Sequence, residues 1–183
     1  MATDVGKAFE AELEAVFRLL KDSHLLGWHR FPDTHSAGGG QIIQPQPSDY
    51  LLGLPAGAKI PLPGGGGSDQ RSCFFEAKAS EKHATMPKKT VKPEQRGFIH
   101  FYAGMLQLPY LVCFYSTVNG TMQLWDGRAV MRDRLSRDEH LLLEFGAGEG
   151  RKLHRDKVVG ELADFFCLPD KHKTVKLYQQ LCS

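Results

Sequence analysis

The chain lacks the cysteine pattern of a disulfide or zinc scaffold. Its four cysteines, Cys73, Cys113, Cys167 and Cys182, form no CxxC pair, and no histidine stands at zinc-finger spacing from them. Cys73 and Cys113 sit in apolar runs, where a thiol packs as a small hydrophobe, so the expected compartment is reducing and cytoplasmic. No run approaches the roughly 18 apolar residues that span a bilayer, and Met1 to Lys21 is charged and amphipathic rather than a secretory leader. The histidines show neither HxH nor HExxH spacing, and His29 and His35, flanking a loop, read as exposed polar residues. A charge excess is missing too: the net charge is +2, which names no partner. Gly64 to Gly67 lacks the Lys-Ser/Thr of a phosphate-binding loop and reads as linker. Trp125-Asp126 stands without the roughly 40-residue repeat of a propeller.

What is present is enough for one domain over residues 1–183, since a chain of this length buries a core without a disulfide or structural metal. Val5, Phe9, Leu13, Val16, Phe17 and Leu20 recur at helical spacing and predict an amphipathic helix over Asp4 to Lys21, capped by Thr3 or Asp4. Glu10 falls on the rim of its apolar stripe. Short strands are expected at Trp28 to Phe31 and Asp49 to Leu54, with glycine-rich loops at 32–47 and 55–71. Ser72 to Ala79 alternates, so Cys73, Phe75 and Ala77 face one way and Phe74, Glu76 and Lys78 the other. Pro93 suits the first turn of a helix reaching about Leu106, with Gln95 turned inward. Tyr110 to Tyr115 reads as a buried strand, and Asn119-Gly120 as a two-residue hairpin turn into Thr121 to Trp125. The part from 150 to 183 reads as helical, over Arg155 to Phe166 and Lys173 to Leu181. This order implies an α/β or α+β domain built on a central mixed sheet flanked by helices.

Glu76-Ala77-Lys78 is the sharpest local feature. Residues two apart on a strand share a face, so a carboxylate and an ammonium project together from a strand whose other face is apolar. An isolated ExK is most simply a surface ion pair; its context is what changes the reading. Asp49 opens a neighbouring strand, Glu10 lies on a helix rim, and Gln95 follows on an inward helix face. Phosphodiester hydrolysis needs oxygen ligands that hold Mg²⁺ or Mn²⁺ while leaving positions for water and phosphate, with a cation beside them. Glu10, Asp49, Glu76, Lys78 and Gln95 supply that inventory. Lys82, Lys88, Lys89, Lys92 and Arg96 crowd the stretch after Lys78, opposed by Glu81 and Glu94, and can follow a phosphate backbone. Lys171, Lys173 and Lys176 read as a polar helix face or, alternatively, as a DNA flank.

The order Gly6-x-x-Phe9-Glu10, Ser48-Asp49-Tyr50, Phe75-Glu76-Ala77-Lys78 and Gln95 resembles the PD-(D/E)xK nuclease superfamily, and within it the RecU-type Holliday junction resolvases of bacteria and phages. The resemblance runs from about Gly6 to Trp125. It implies a restriction-endonuclease-like core, a Mg²⁺ site, for which Mn²⁺ substitutes, a homodimer and a four-way DNA junction as substrate, in a bacterial or phage-infected cell. Carried over, Glu10, Asp49 and Glu76 are the metal ligands, Lys78 acts on the attacking water and phosphate, and Gln95 positions phosphate or a ligand. Ser48 stands where the superfamily has proline, the segment from Asp49 to Glu76 is long, and no projecting stalk is recognisable. Another restriction or repair endonuclease, and a nucleic-acid-binding module without turnover, therefore stay open beside the resolvase.

Overall fold

The computed structural model describes residues 4–32, 46–63, 67–68, 70–131 and 136–169. The expected helix at Lys173 to Leu181, Lys171, Cys182, His35, most of the stretch 32–47 and residues 64–66 and 69 lie outside the described residues, whereas the stretch 55–71, expected as a loop, holds two short paired strands. In chain order the elements are α1 (Val5–Asp22), β1 (Gly27–Arg30), β2 (Tyr50–Gly53), β3 (Ile60–Pro61), β4 (Gly67–Ser68) and β5 (Ser72–Ser80). Then come α2 (Pro93–Ile99), β6 (Tyr110–Ser116), β7 (Thr121–Asp126), α3 (Arg137–His140), β8 (Leu141–Gly146), β9 (Gly148–Glu149), β10 (Lys152–Leu153) and α4 (Arg155–Phe165).

Six strands form one sheet in the order β1-β2-β5-β6-β7-β8. Every neighbouring pair is antiparallel except β5 and β6, which run parallel and are joined by the crossover through α2. A parallel pair cannot be closed by a tight turn, so a helix between them is what the connection requires. The result is an α+β fold with a mixed sheet between helices, as the element order implies. β3 with β4 and β9 with β10 make two small separate ribbons.

The alternation along β5 divides the core. Cys73, Phe75 and Ala77 pack with Phe9, Leu13, Val16, Phe17 and Leu20 of α1 and with Val158, Leu162 and Ala163 of α4. Phe17 anchors this side, with its ring edge-on to Tyr50 and Phe75 at 5.4 and 5.5 Å. On the other face, Phe74 packs with Ile99, Ala103, Tyr110, Val112, Phe114 and Trp125. Asp4 caps α1, its carboxylate accepting from the Gly6 N–H at 3.0 Å. All seven residues of β6 are buried, which suits its place inside the sheet.

Three local expectations are corrected. The helix from Pro93 keeps α-helical geometry only to Ile99; His100–Met105 widens into π turns, with the Leu106 N–H donating to the Phe101 carbonyl. The β6–β7 connection is four residues long, because Ser116 pairs with Thr121. The Thr117 N–H donates to the Ser80 carbonyl at 3.0 Å and pulls the chain toward β5 before it turns. Gly120 is still required there: its φ is +66°, and a Cβ would sit 2.0 Å from the Gly148 carbonyl oxygen. Finally, β8 adds an edge strand that the sequence reading does not include.

Candidate active site

The site is built where two paired strands part. β2 and β5 pair from Gly53 opposite Ser72 to Tyr50 opposite Phe75, and there the ladder stops. The next inward-pointing donor on β5 is the Ala77 N–H, and the Asp49 carboxylate takes it, through Oδ2 at 2.7 Å. A side chain thus stands in for the missing backbone acceptor. Ser48 helps to hold this turn, its hydroxyl donating to the Tyr50 carbonyl at 2.7 Å.

Beyond that opening, Glu76 and Lys78 project from β5 on the α2 face. Lys78 Nζ lies 3.8 Å from Asp49 Oδ2 and donates to Glu76 Oε1, so one ammonium joins both acids. Gln95, from the first turn of α2, donates to the same Glu76 oxygen, while its own Oε1 accepts from the Lys92 N–H at 3.2 Å. The Tyr110 hydroxyl stands 3.3 Å from Glu76 Oε2 and donates to the Pro47 carbonyl at 2.7 Å. Glu76 is only 1% exposed, whereas the side chains of Asp49 and Lys78 retain 26% and 18%. The site therefore opens to solvent on the Asp49–Lys78 side.

Burial pushes the Glu76 carboxyl up to about 7; Lys78 opposes this and the Asp49 charge adds to it. Burial alone would lower Lys78, but the charges of Glu76 and Asp49 outweigh it and hold the ammonium above its ordinary range. Tyr110 is driven well upward by burial and by Glu76 and Asp49, so its hydroxyl stays a donor.

Glu10 belongs to the neighbourhood, and its charge helps to hold Lys78 protonated. Its carboxylate nonetheless meets Arg30 of β1, with Nη2 at 2.9 Å from Oε2. The same guanidinium reaches Glu14, one helical turn on, at 2.6 Å, and the Tyr50 hydroxyl is 3.4 Å from that carboxylate. The structure thus brings Asp49, Glu76, Lys78 and Gln95 together and holds Glu10 on an arginine beside them. Among the described residues, no three His, Cys, Asp or Glu side chains converge into a metal cage. The donor set still fits Mg²⁺, which is commonly held by one or two carboxylates with waters and substrate phosphate completing the shell. Two acids face a single ammonium, so the site carries net negative charge once Glu76 ionises, and Asp49 Oδ1 has no partner among the described residues.

The basic residues lie on the connection from β5 to α2. Lys82, Lys89 and Lys92 are exposed and Lys88 is half-buried, and none of the four makes an ion pair among the described residues. Arg96 is half-buried and braces the loop, its Nε donating to the Val91 carbonyl at 3.0 Å and Nη2 to the Lys88 carbonyl at 2.9 Å. The other end of the loop is fastened by Gln123 of β7, whose Oε1 accepts from the Thr85 hydroxyl and the Met86 N–H, both at 3.2 Å.

Tyr110, Arg30 and Gln123 are absent from the residues singled out in the sequence. Tyr110 had a signal: a tyrosine inside a buried strand must find a partner for its hydroxyl. Arg30 had none, because its pairing crosses from strand to helix over 20 residues.

No family model and no curated protein matches the chain. Among solved structures it is similar to Hjc of Archaeoglobus fulgidus, a Holliday junction resolvase from an archaeal hyperthermophile. The identity is 14%, the match covers 77% of this chain and 88% of that one, and the TM-score is 0.39. A likeness of that degree leaves the chemistry to be judged from the residues themselves.

Proposed function

We propose that the protein is a divalent-metal-dependent DNA endonuclease acting on branched DNA, with a four-way junction as its substrate. The observation that carries the nuclease reading is the convergence of Asp49 and Glu76 on Lys78 at the point where β2 and β5 separate. A buried carboxyl, a half-open carboxylate and one ammonium make a site with more acids than cations, left with uncompensated negative charge once Glu76 gives up its proton. A surface ion pair has no reason to be built that way.

Asp49 and Glu76 would hold Mg²⁺, or Mn²⁺ in its place. When bound, the ion supplies Lewis acidity at a phosphate oxygen and makes a water easier to deprotonate. Lys78, kept charged by its two acids, faces the open side and offset the charge that builds on the phosphate. Gln95 fixes the Glu76 carboxylate and links it to the start of α2. Glu10 joins the metal shell only if Arg30 releases it; in that event Glu14 keeps the guanidinium in place.

Lys82, Lys88, Lys89 and Lys92 would follow the phosphate backbone, with Arg96 supporting the loop that carries them. Contacts of that kind read shape and charge rather than bases. The junction substrate rests on the order of motifs from Gly6 to Gln95. A junction needs two symmetric nicks, which an isologous dimer delivers from two related sites. Phe101, Met105 and Leu106, exposed along the π turns after α2, offer apolar surface for a second copy.

One assay tests the reading: cleavage of labelled four-way junction, flap, single strand and linear duplex, with and without Mg²⁺, alongside light scattering. The expected result is Mg²⁺-dependent nicking of the junction in preference to its constituent duplexes, by a dimer. Equal cleavage of linear duplex removes the junction and leaves the nuclease. Tight DNA binding without cleavage under any metal makes the chain a binding module.

A further inference from the structure

We propose that Tyr110 is the positioning residue that sets the separation of Asp49 and Glu76 and thereby the site's affinity for a divalent cation; this rests on the metal-dependent reading above. Tyr110 opens β6 opposite Phe74 of β5 and is 1% exposed. Its ring is held on two sides. The Phe74 ring lies 5.8 Å away between centroids, and the Gly127 backbone is so near that a Cβ there would come within 2.9 Å of Tyr110 Cδ1. From this fixed ring the hydroxyl touches both acid-bearing segments. It donates to the carbonyl of Pro47, two residues before Asp49, at 2.7 Å, and lies 3.3 Å from Glu76 Oε2.

The contacts around Glu76 divide cleanly. Lys78 and Gln95 both donate to Oε1, and Tyr110 attends Oε2. Lys78 is also the group whose place between the acids a bound cation would contest, so it cannot serve as the permanent spacer. Tyr110 can: it is neutral, buried behind the acids and tied to backbone on the Asp49 side. Groups that orient metal ligands without touching the metal commonly change affinity by about 10–100-fold when lost.

The test removes one hydroxyl and keeps the ring. Mn²⁺ is titrated by calorimetry into the wild-type chain, Tyr110→Phe and Tyr102→Phe. Tyr102 packs against Phe74 in the same apolar cluster, with ring centroids 4.5 Å apart, and is remote in role from the acids. The expected result is a Mn²⁺ affinity about tenfold weaker in Tyr110→Phe and unchanged in Tyr102→Phe. Junction cleavage by Tyr110→Phe should need about tenfold more Mn²⁺ to reach half-maximum and should return to the wild-type rate at saturation. A variant that had merely lost its fold would not be rescued by metal, so failure to recover overturns the proposal. Unchanged Mn²⁺ affinity in Tyr110→Phe overturns it while leaving the metal-dependent reading intact. A wild-type chain that binds no Mn²⁺ overturns both.

Discussion

Two polar clusters lie on the α2 face of the sheet, one strand apart, and they are built on opposite principles. Lys78 pairs with Phe114, and Phe114 pairs with Gln123, so only β6 separates them. Around Gln123 the accounts are closed. Its Oε1 accepts from Thr85, the Met86 N–H and the Trp125 indole N–H, and its Nε2 donates to Glu144 at 2.6 Å. Glu144 in turn pairs with Arg137, which also reaches the Thr85 hydroxyl. Around Glu76, two acids share one ammonium, and a buried carboxyl sits at about 7. A fully satisfied buried network rigidifies. A buried site left with excess charge costs stability and is kept where chemistry needs it. The Gln123 cluster fastens the basic loop, and on the proposed reading the Glu76 cluster is where a cation and a phosphate would bind.

The comparison is broken most forcefully by removing charge from the reactive cluster. Asp49→Asn and Glu76→Gln should each lower single-turnover cleavage by roughly 10³-fold or more, while DNA affinity holds or improves, because the lysine loop is untouched. Binding and cleavage measured on one preparation check this. A parallel loss of both would mean the acids support the fold rather than the chemistry.

The second effect is a pH dependence confined to the same cluster. In the folded chain Glu76 holds its proton up to about pH 7, against 4.5 for an ordinary glutamate, mainly through burial. A state that binds a proton more tightly is favoured while the proton stays on. The contribution is complete below pH 4.5 and lost by about pH 7. Metal-free protein should therefore lose stability across that window, by on the order of a few kcal/mol, and Glu76→Gln should flatten the slope. Saturating Mg²⁺ should reverse it, since the ligand form is the deprotonated one. Denaturant titrations at several pH values, with and without Mg²⁺, read all three.

Gln123→Leu probes the other side of the comparison. It strands the buried Met86 N–H and Trp125 indole N–H, while Thr85 and Glu144 keep Arg137, and should cost about 2 kcal/mol of stability, since unsatisfied buried groups carry penalties of that order. Loosening the loop should weaken DNA binding and leave the cleavage rate of bound DNA near wild type. A lost cleavage rate with intact stability would place Gln123 in the chemistry instead.

The outline of the reactive cluster was legible because it is local. Alternation along Ser72 to Ala79 places Glu76 and Lys78 on one face, and the stripe from Phe9 to Leu20 predicts α1 within a residue or two of Val5–Asp22. What escaped was set at long range or at an edge. Glu10 lies on the expected helix rim, yet its partner is an arginine on β1, so the three-acid cage is not preformed. Tyr110 reads as one more apolar strand residue, because its acceptor is a backbone carbonyl 63 positions away. β8 is an edge strand of mostly half-buried residues, Leu141 to Leu143 followed by Glu144 and Phe145, and lacks the alternation that marks a one-sided strand.

The smallest effect belongs to the surface between the clusters. Lys89→Ala removes one exposed cation from the loop and should lower DNA affinity several-fold, reducing the salt slope by about one. Stability and the cleavage rate at saturation should not move. Binding isotherms at several salt concentrations test it, and an unchanged slope would put the DNA on another face.

The central claim is that Asp49 and Glu76 form a cation site guarded by Lys78. Anomalous diffraction from crystals soaked in Mn²⁺ tests it most directly. The account predicts a peak between the Asp49 and Glu76 carboxylates, with the Lys78 ammonium displaced from between them. No peak, with Lys78 still joining both acids, would contradict it.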